Sequence, residues 1–282
     1  MKYLSVVTLA ILVLIAGNFV MSLSDVAVKL LAGCVSAFQY IFIRQLCCLL
    51  LLLPFWFRCS TSQRTLKHGA VTTLRAHLVL VGSGCAMVAL THLPLATANA
   101  VFYAAPLIML PLSIWIMKEK VPLAHTLATA LGFIGVLIVL RPSQFHWAAL
   151  FALGTAFTWA LFNVLVKKLP VDQPVRITLI WTNLLGLPLA GVLAVIFWQP
   201  MSALELGLIA ISALFSLLYH GTCVFSYHRA PTSQLAIAEY SGLIFVSLLG
   251  MIYFEEYLDT LSLVGIALIV LPIALQSLGK LR

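Results

Sequence analysis

The chain has 282 residues, 63% of them hydrophobic and only 9% charged, with a formal net charge of +8 and a mean hydropathy of +1.12. A soluble domain carries roughly 25% charged residues, so this composition cannot make a water-facing surface and most of the outside must face lipid. At about 20 apolar residues per spanning helix, ten spans use most of the chain and leave no room for an extramembrane domain.

In chain order, apolar runs cover 4–31, 35–57, 76–93, 96–117 and 123–140, then 147–167, 177–198, 205–228, 232–254 and 258–278. The first starts just after Lys2 but has no convincing small-residue cleavage site, so it reads as a span and not as a signal peptide. Breaks fall from Arg58 to Leu74, at Pro94, from Lys118 to Pro122, at Arg141-Pro142, from Pro170 to Pro174, and at Pro200, Pro231 and Glu255-Glu256.

The basic residues test this count independently. With the N-terminus inside, ten crossings put thirteen of the sixteen Lys and Arg residues on the inner face, Arg75 among them. Only Arg141 falls outside, and Lys29 and Arg44 lie within spans. Cytoplasmic loops are enriched in Lys and Arg, so both termini are expected in the cytoplasm of a bacterial inner membrane. Topology thus accounts for the positive charge, and no clustered basic and aromatic patch suggests nucleic acid. The six cysteines have no metal-ligand spacing and sit mostly in apolar runs, so they read as small buried hydrophobes. No metal and no cofactor is expected. The partners are a small-molecule substrate and the lipid bilayer, with the chain a monomer or a homodimer.

An internal repeat organises the spans. Asp25-Val26-Ala27-Val28-Lys29 is echoed by Asn163-Val164-Leu165-Val166-Lys167, 138 residues later. Ala105-Pro106 with Glu119 is echoed by Ser241-Gly242 with Glu255, at an offset of 136. The expected repeats are 1–142 and 143–282. Five spans per repeat is an odd number, so the second copy enters the membrane from the opposite side. The fold class is then an all-α integral membrane protein, ten transmembrane helices arranged as two inverted-topology five-helix repeats around a central cavity. Such repeats typify secondary transporters, whose substrate site lies near the midplane between the halves.

Ten spans in a five-plus-five repeat, Arg44-Gln45-Leu46 leading into a Leu-rich stretch ending at Pro54, and a Glu closing spans four and nine resemble the EamA-type branch of the drug/metabolite transporter superfamily. The resemblance covers residues 4–278. It departs where the usual Gly before the closing Glu is Lys118 or Phe254, and where the proline of span nine is replaced by Gly242. It implies a helical basket around a central cavity and alternating access. Export of amino-acid-like or related metabolites is the favoured direction, with import of a vitamin or nucleotide-like metabolite as the alternative.

Charged residues inside the membrane are costly and mark function or pairing. Glu239 reads either as a proton carrier or cation-binding carboxylate, or as the ion-pair partner of Arg44. Arg44 reads as an anchor for a substrate carboxylate or phosphate, or as that pair's other member. Asp25 is a second proton-coupling candidate, unless it and Lys29, one turn apart, neutralise each other. Lys29 could also extend to the outer interface. His220 is a third candidate, against a plain core histidine. Polar side chains at helical spacing add substrate-binding candidates: Asn18 and Ser22, Gln39, Asn99 and Tyr103, Trp159 and Asn163, Trp181 and Asn183, Tyr219 and Tyr240. Interhelical hydrogen bonding is the alternative for any one of them.

No phosphate-binding G-x-x-x-x-G-K-[ST] loop is present, so transport would not be driven directly by ATP. A lipid-modifying membrane enzyme would need clustered His, Asp or Glu near one interface, and a channel would need a selectivity element. The sequence offers neither.

Overall fold

The computed structural model describes residues 6–31, 33–118, 123–140, 146–170, 173–230, 232–257, 259–268 and 271. Their regular structure is helical: α1 (Val6–Leu30), α2 (Ala37–Phe57), α3 (Thr61–Arg64), α4 (Gly69–His92), α5 (Leu95–Phe102), α6 (Ala105–Met117), α7 (Leu123–Leu140), α8 (Ala148–Val166), α9 (Val175–Ile196), α10 (Ala203–Tyr227) and α11 (Thr232–Phe254). Residues 260–268 are also helical. Among the described residues, seven helical segments are long and apolar enough to cross a membrane. Trp115 is 80% and Val195 77% exposed on the outer surface, an arrangement that water would penalise and lipid does not.

Local chemistry sets the helix ends. Ser36 caps α2 by accepting the Gln39 N–H at 3.2 Å. Ser202 and Glu205 form a reciprocal capping box at the start of α10, with bonds of 2.6 and 3.3 Å. α6 ends on Lys118 and α11 is followed by Glu255, both in the left-handed backbone region (φ 55° and 53°) that a helix C-terminus commonly uses. The closing residue Glu119 lies outside the described residues.

Two boundaries differ from the sequence reading. The third span starts at Gly69, seven residues before its expected start at 76, because Arg75 is not in a loop. It is fully buried, with its guanidinium carbon 4.0 Å from the Phe162 ring centroid. A hydropathy scan scores any arginine as a break, yet one turned inward onto an aromatic face can be helical. The fourth span is two helices, interrupted at Tyr103-Ala104. Pro106 has no N–H to continue the ladder across that point and is well placed to begin α6.

α1 packs on α10 and α11, α8 on α4, α5 and α6, and α2 on α9; α4 also meets α9, and α10 also meets α2. The α1–α10 crossing is close because Gly17 sits on Thr222, where an added Cβ would lie 2.0 Å from Oγ1.

Candidate functional site

A cavity opens between α1, α2, α4, α5, α8 and α10; about 700 Å³ is free of protein atoms, open space at its mouth included. Its wall residues come from the C-terminal half of α1, the N-terminal half of α2, the middle and C-terminal half of α4, and the middle of α8 and α10. It therefore runs from the middle of the bundle toward one end.

Arg44 projects into it from α2. Nη1 donates to Ser216 Oγ on α10 at 2.8 Å, Nη2 donates to Ser83 Oγ on α4, and the guanidinium carbon lies 5.7 Å from the Tyr40 ring centroid. Tyr40 OH is hydrogen-bonded to Ser212 Oγ at 2.8 Å, and Ser212 Oγ to Ser24 Oγ on α1 at 2.9 Å. Hydroxyls thus hold the cation in place without cancelling its charge. Nε finds no acceptor and no carboxylate pairs with Arg44 among the described residues. The suggested Arg44–Glu239 ion pair does not form.

Asp25 lines the same cavity from α1, buried and hydrogen-bonded by Asn99. It is not neutralised by Lys29. Lys29 Nζ instead meets Glu256 Oε1 at 2.7 Å and donates to the Leu93 carbonyl at 2.9 Å, while Glu256 Oε2 accepts the Leu95 N–H at 2.6 Å. These contacts fasten the ends of α1, α4 and α11 to one another, and they free Asp25 to face the cavity. Spacing along one helix predicts the i, i+4 partner; only the fold reveals a competitor 227 residues away in sequence.

The inner part of the cavity is aromatic. Trp159, Tyr219, His220, Phe162 and Phe102 line it, with Trp159 and Tyr219 packed edge to face at 5.5 Å between centroids. Past Trp159 and Phe102 lies a second, narrow pocket, lined also by Tyr103, Ala105, Met109, Asn163 and Glu239. Glu239 is buried there and accepts hydrogen bonds from Tyr227 OH at 2.6 Å and Tyr219 OH at 3.4 Å. Both amide atoms of Asn163 lack a partner among the described residues. Tyr219 belongs to both spaces: its ring lines the cavity and its hydroxyl reaches the carboxyl beyond.

Of the residues singled out in the sequence, the structure thus brings Asp25, Arg44, Trp159, Tyr219 and His220 to the cavity, and Tyr103, Asn163 and Glu239 to the adjoining pocket. Asn18 and Ser22 instead join α1 to α11: Asn18 Nδ2 donates to the Ala238 carbonyl at 2.7 Å, and Ser22 Oγ to the Gly242 carbonyl at 3.4 Å. Gln39 exchanges two hydrogen bonds with the backbone of Gln199. Trp181 donates to the Arg64 carbonyl at 2.9 Å, and Asn183 to the Leu179 carbonyl in its own helix at 2.9 Å. These three serve loops and helix backbone and do not line the cavity. The side chain of Tyr240 lies outside the described residues.

The sequence reading did not single out Tyr40, Ser83, Ser216, Phe162, Tyr227 or Arg75. The two serines look like ordinary small residues in apolar helices, and their value comes from facing Arg44 across helix boundaries. Tyr227 had one usable signal. It ends α10 just before a short link to α11, which places it beside the start of the helix carrying Glu239.

An EamA-like transporter family model matches residues 8–141 and again residues 146–278. The chain belongs to the EamA-like transporter family. EamA-like proteins fall in the drug/metabolite transporter superfamily, so this is a multi-span membrane transporter and not an enzyme. Over 259 residues it is 26% identical to an S-adenosylmethionine uptake transporter of Rickettsia prowazekii, covering 90% of this chain and 87% of that one. A riboflavin transporter of Vibrio cholerae is 29% identical over 206 residues, 71% of this chain and 69% of the relative. An uncharacterized transporter of Archaeoglobus fulgidus is 31% identical over 228 residues, 78% and 79% of the two chains. One solved crystal structure superposes with a TM-score of 0.71 over 99% of this chain and 100% of its own, at 17% identity, and so shares the fold of this EamA-like chain.

Proposed function

We propose that the chain imports a small zwitterionic metabolite bearing a planar ring, by alternating access and with proton coupling. The observation that carries this reading is the pairing of an uncompensated Arg44 with Asp25 on the walls of one aromatic-floored cavity. Arginine matches a carboxylate with its planar fork, an aspartate suits an amine or another cation, and Trp159 and Tyr219 suit a ring. The Rickettsia relative is named for uptake of S-adenosylmethionine, a molecule with all three features, and this favours import over the export expected from the resemblance. Riboflavin, in the name of another relative, carries no carboxylate or cation and fits this pair of charges less well.

The packing supports two inverted five-span halves. Exchanging α1 for α8, α4 for α10, α2 for α9 and α5–α6 for α11 turns the most extensive helix pairings into one another: α1–α10 into α8–α4, α1–α11 into α8 with α5 and α6, and α4–α9 into α10–α2. With α7 and the C-terminal helical residues as fifth members, each half has five spans and the halves run in opposite directions. On this topology both termini are cytoplasmic in a bacterial inner membrane. The cavity then opens outward, and the contacts of α1 with α10 close the cytoplasmic side. Substrate binds at Arg44 and Asp25, the halves rock about the α2–α9 contact, and the cavity reopens inward.

Glu239 is the proton carrier in this account. Facing it are Tyr219, Cys223 and Tyr227 from α10, and Tyr103 from the break in span four. No basic side chain is bonded to it among the described residues, so a carboxylate there has only phenols for stabilisation and a proton is the simplest occupant.

Labelled S-adenosylmethionine uptake into proteoliposomes tests the reading. S-adenosylhomocysteine, which keeps the zwitterion, should compete, while riboflavin and adenosine should not. Glu239→Gln should abolish stimulation by an inward proton gradient and leave exchange without a gradient within about twofold of wild type. Uptake of riboflavin alone would overturn the substrate class, and gradient stimulation surviving in Glu239→Gln would overturn the role of that carboxyl.

A further inference from the structure

A second guanidinium lies behind the cavity floor. Arg75, in the second turn of α4, is fully buried. Its Nε donates to the Phe162 carbonyl at 3.2 Å and its plane sits on the Phe162 ring. Nη1 and Nη2 find no acceptor among the described residues. Four of the five donors of this charged group thus meet no acceptor among the described residues, on a side chain with no exposed surface.

Phe162 is at once the platform of Arg75 and part of the cavity wall, and its ring is 5.5 Å from that of His220. His220 lines the cavity and lies within electrostatic reach of both Arg44 and Arg75. Arg44 is held on α4 through Ser83, and Arg75 is eight residues earlier on the same helix, roughly 12 Å along its axis at 1.5 Å per residue. It lies in the direction away from the cavity mouth. One layer of rings, Phe162 and His220, thus separates a cation that lines the cavity from a sealed one. A lasting structural role would be served as well by an apolar side chain packed on Phe162, because an unmatched buried charge is destabilising. An acceptor that arrives only in another state explains why the charge is there.

We propose that Arg75 is the binding site for the anionic group of the substrate in the inward-facing state. This rests on the alternating-access reading above. When α4 shifts relative to α8 and α10, the Phe162–His220 layer moves off Arg75, and the substrate carboxylate passes from Arg44 to the free edge of Arg75. The two arginines bind the same group in succession, one on each side of the aromatic layer, and neither moves across the membrane.

Two measurements test this. In a background with the six native cysteines replaced, Arg44→Cys and Arg75→Cys are exposed to a charged, membrane-impermeant thiol reagent applied to one side of the vesicle at a time. Arg44→Cys should react from the side on which the cavity opens and Arg75→Cys from the opposite side. Reaction of both from one side, or an inert Arg75→Cys where Arg44→Cys reacts, overturns the proposal whatever the substrate. Second, Arg75→Met should lose at least about tenfold in counterflow, a larger loss than in its equilibrium binding of S-adenosylmethionine, with Arg75→Lys recovering part of it. Counterflow at the wild-type rate in Arg75→Met contradicts the proposal, as does parallel loss of binding and counterflow in a protein that melts at the wild-type temperature. If wild-type protein does not bind S-adenosylmethionine, the proposed substrate is wrong, and the sidedness of Arg75→Cys still decides the present claim.

Discussion

Replacing Arg44 with methionine should weaken S-adenosylmethionine binding by roughly 30- to 1,000-fold, equivalent to about 2–4 kcal/mol at 1.4 kcal/mol per tenfold change. The side chain is held by Ser216 and Ser83 and stacked near Tyr40, with no carboxylate partner among the described residues. Its charge is therefore available to the ligand, and its geometry is fixed before the ligand arrives, so little ordering entropy is lost on binding. Methionine fills a similar length with no donor. Lysine keeps the charge but loses the fork, so Arg44→Lys should fall between the two. Fold stability should change little, because the three groups left behind are hydroxyls and a ring that can turn to other partners. Calorimetric titration checks the prediction. Unchanged affinity in Arg44→Met would place the substrate elsewhere in the bundle.

The second large effect is structural. A Cβ on Gly242 would lie 1.8 Å from Tyr103 Oη and 2.6 Å from Cζ, too close for any real contact. Tyr103 is buried at the break in span four and cannot swing into solvent. Gly242→Ala should therefore destabilise the protein by about 1–3 kcal/mol, the usual consequence of forcing atoms into a packed interior, and should displace the wall of the Glu239 pocket. Tyr103→Leu in the same chain should restore most of the stability by vacating the contested space. Thermal unfolding of the purified single and double variants measures both. A Gly242→Ala protein that melts with wild type would show that α11 slides past Tyr103 without strain.

That contact also shows what was legible in the chain and what was not. In the sequence Gly242 stands out only as a departure from a proline pattern, and Tyr103 only as a polar residue of span four. Nothing in one sequence says that they touch. The hydropathy pattern exposed the apolar segments well, because lipid imposes one simple requirement on each. Arg75 defeated it for the same reason: a scan assumes that charge means water, whereas this charge rests on Phe162. The intramembrane charges fall close together in space, since Asp25 and Arg44 both reach the cavity and Glu239 the pocket next to it. Their partners were misassigned. Asp25 was matched with Lys29 by spacing and Arg44 with Glu239 by sign, yet Lys29 belongs to Glu256, Glu239 to two tyrosines and Arg44 to two serines. Pairing across helices depends on rotation about each helix axis, which periodicity in uniformly apolar helices hardly constrains. The same ambiguity explains Gln39, Trp181 and Asn183, whose polarity could as easily serve a loop or a helix backbone as a ligand.

Counterflow tests the central claim most directly. Proteoliposomes loaded with unlabelled S-adenosylmethionine are diluted into a trace of labelled compound, with no proton gradient. A carrier whose single site faces one side at a time predicts transient accumulation of label above its equilibrium level, saturable and dependent on the internal load. Flux that rises linearly with concentration and ignores the internal load would contradict alternating access through this cavity.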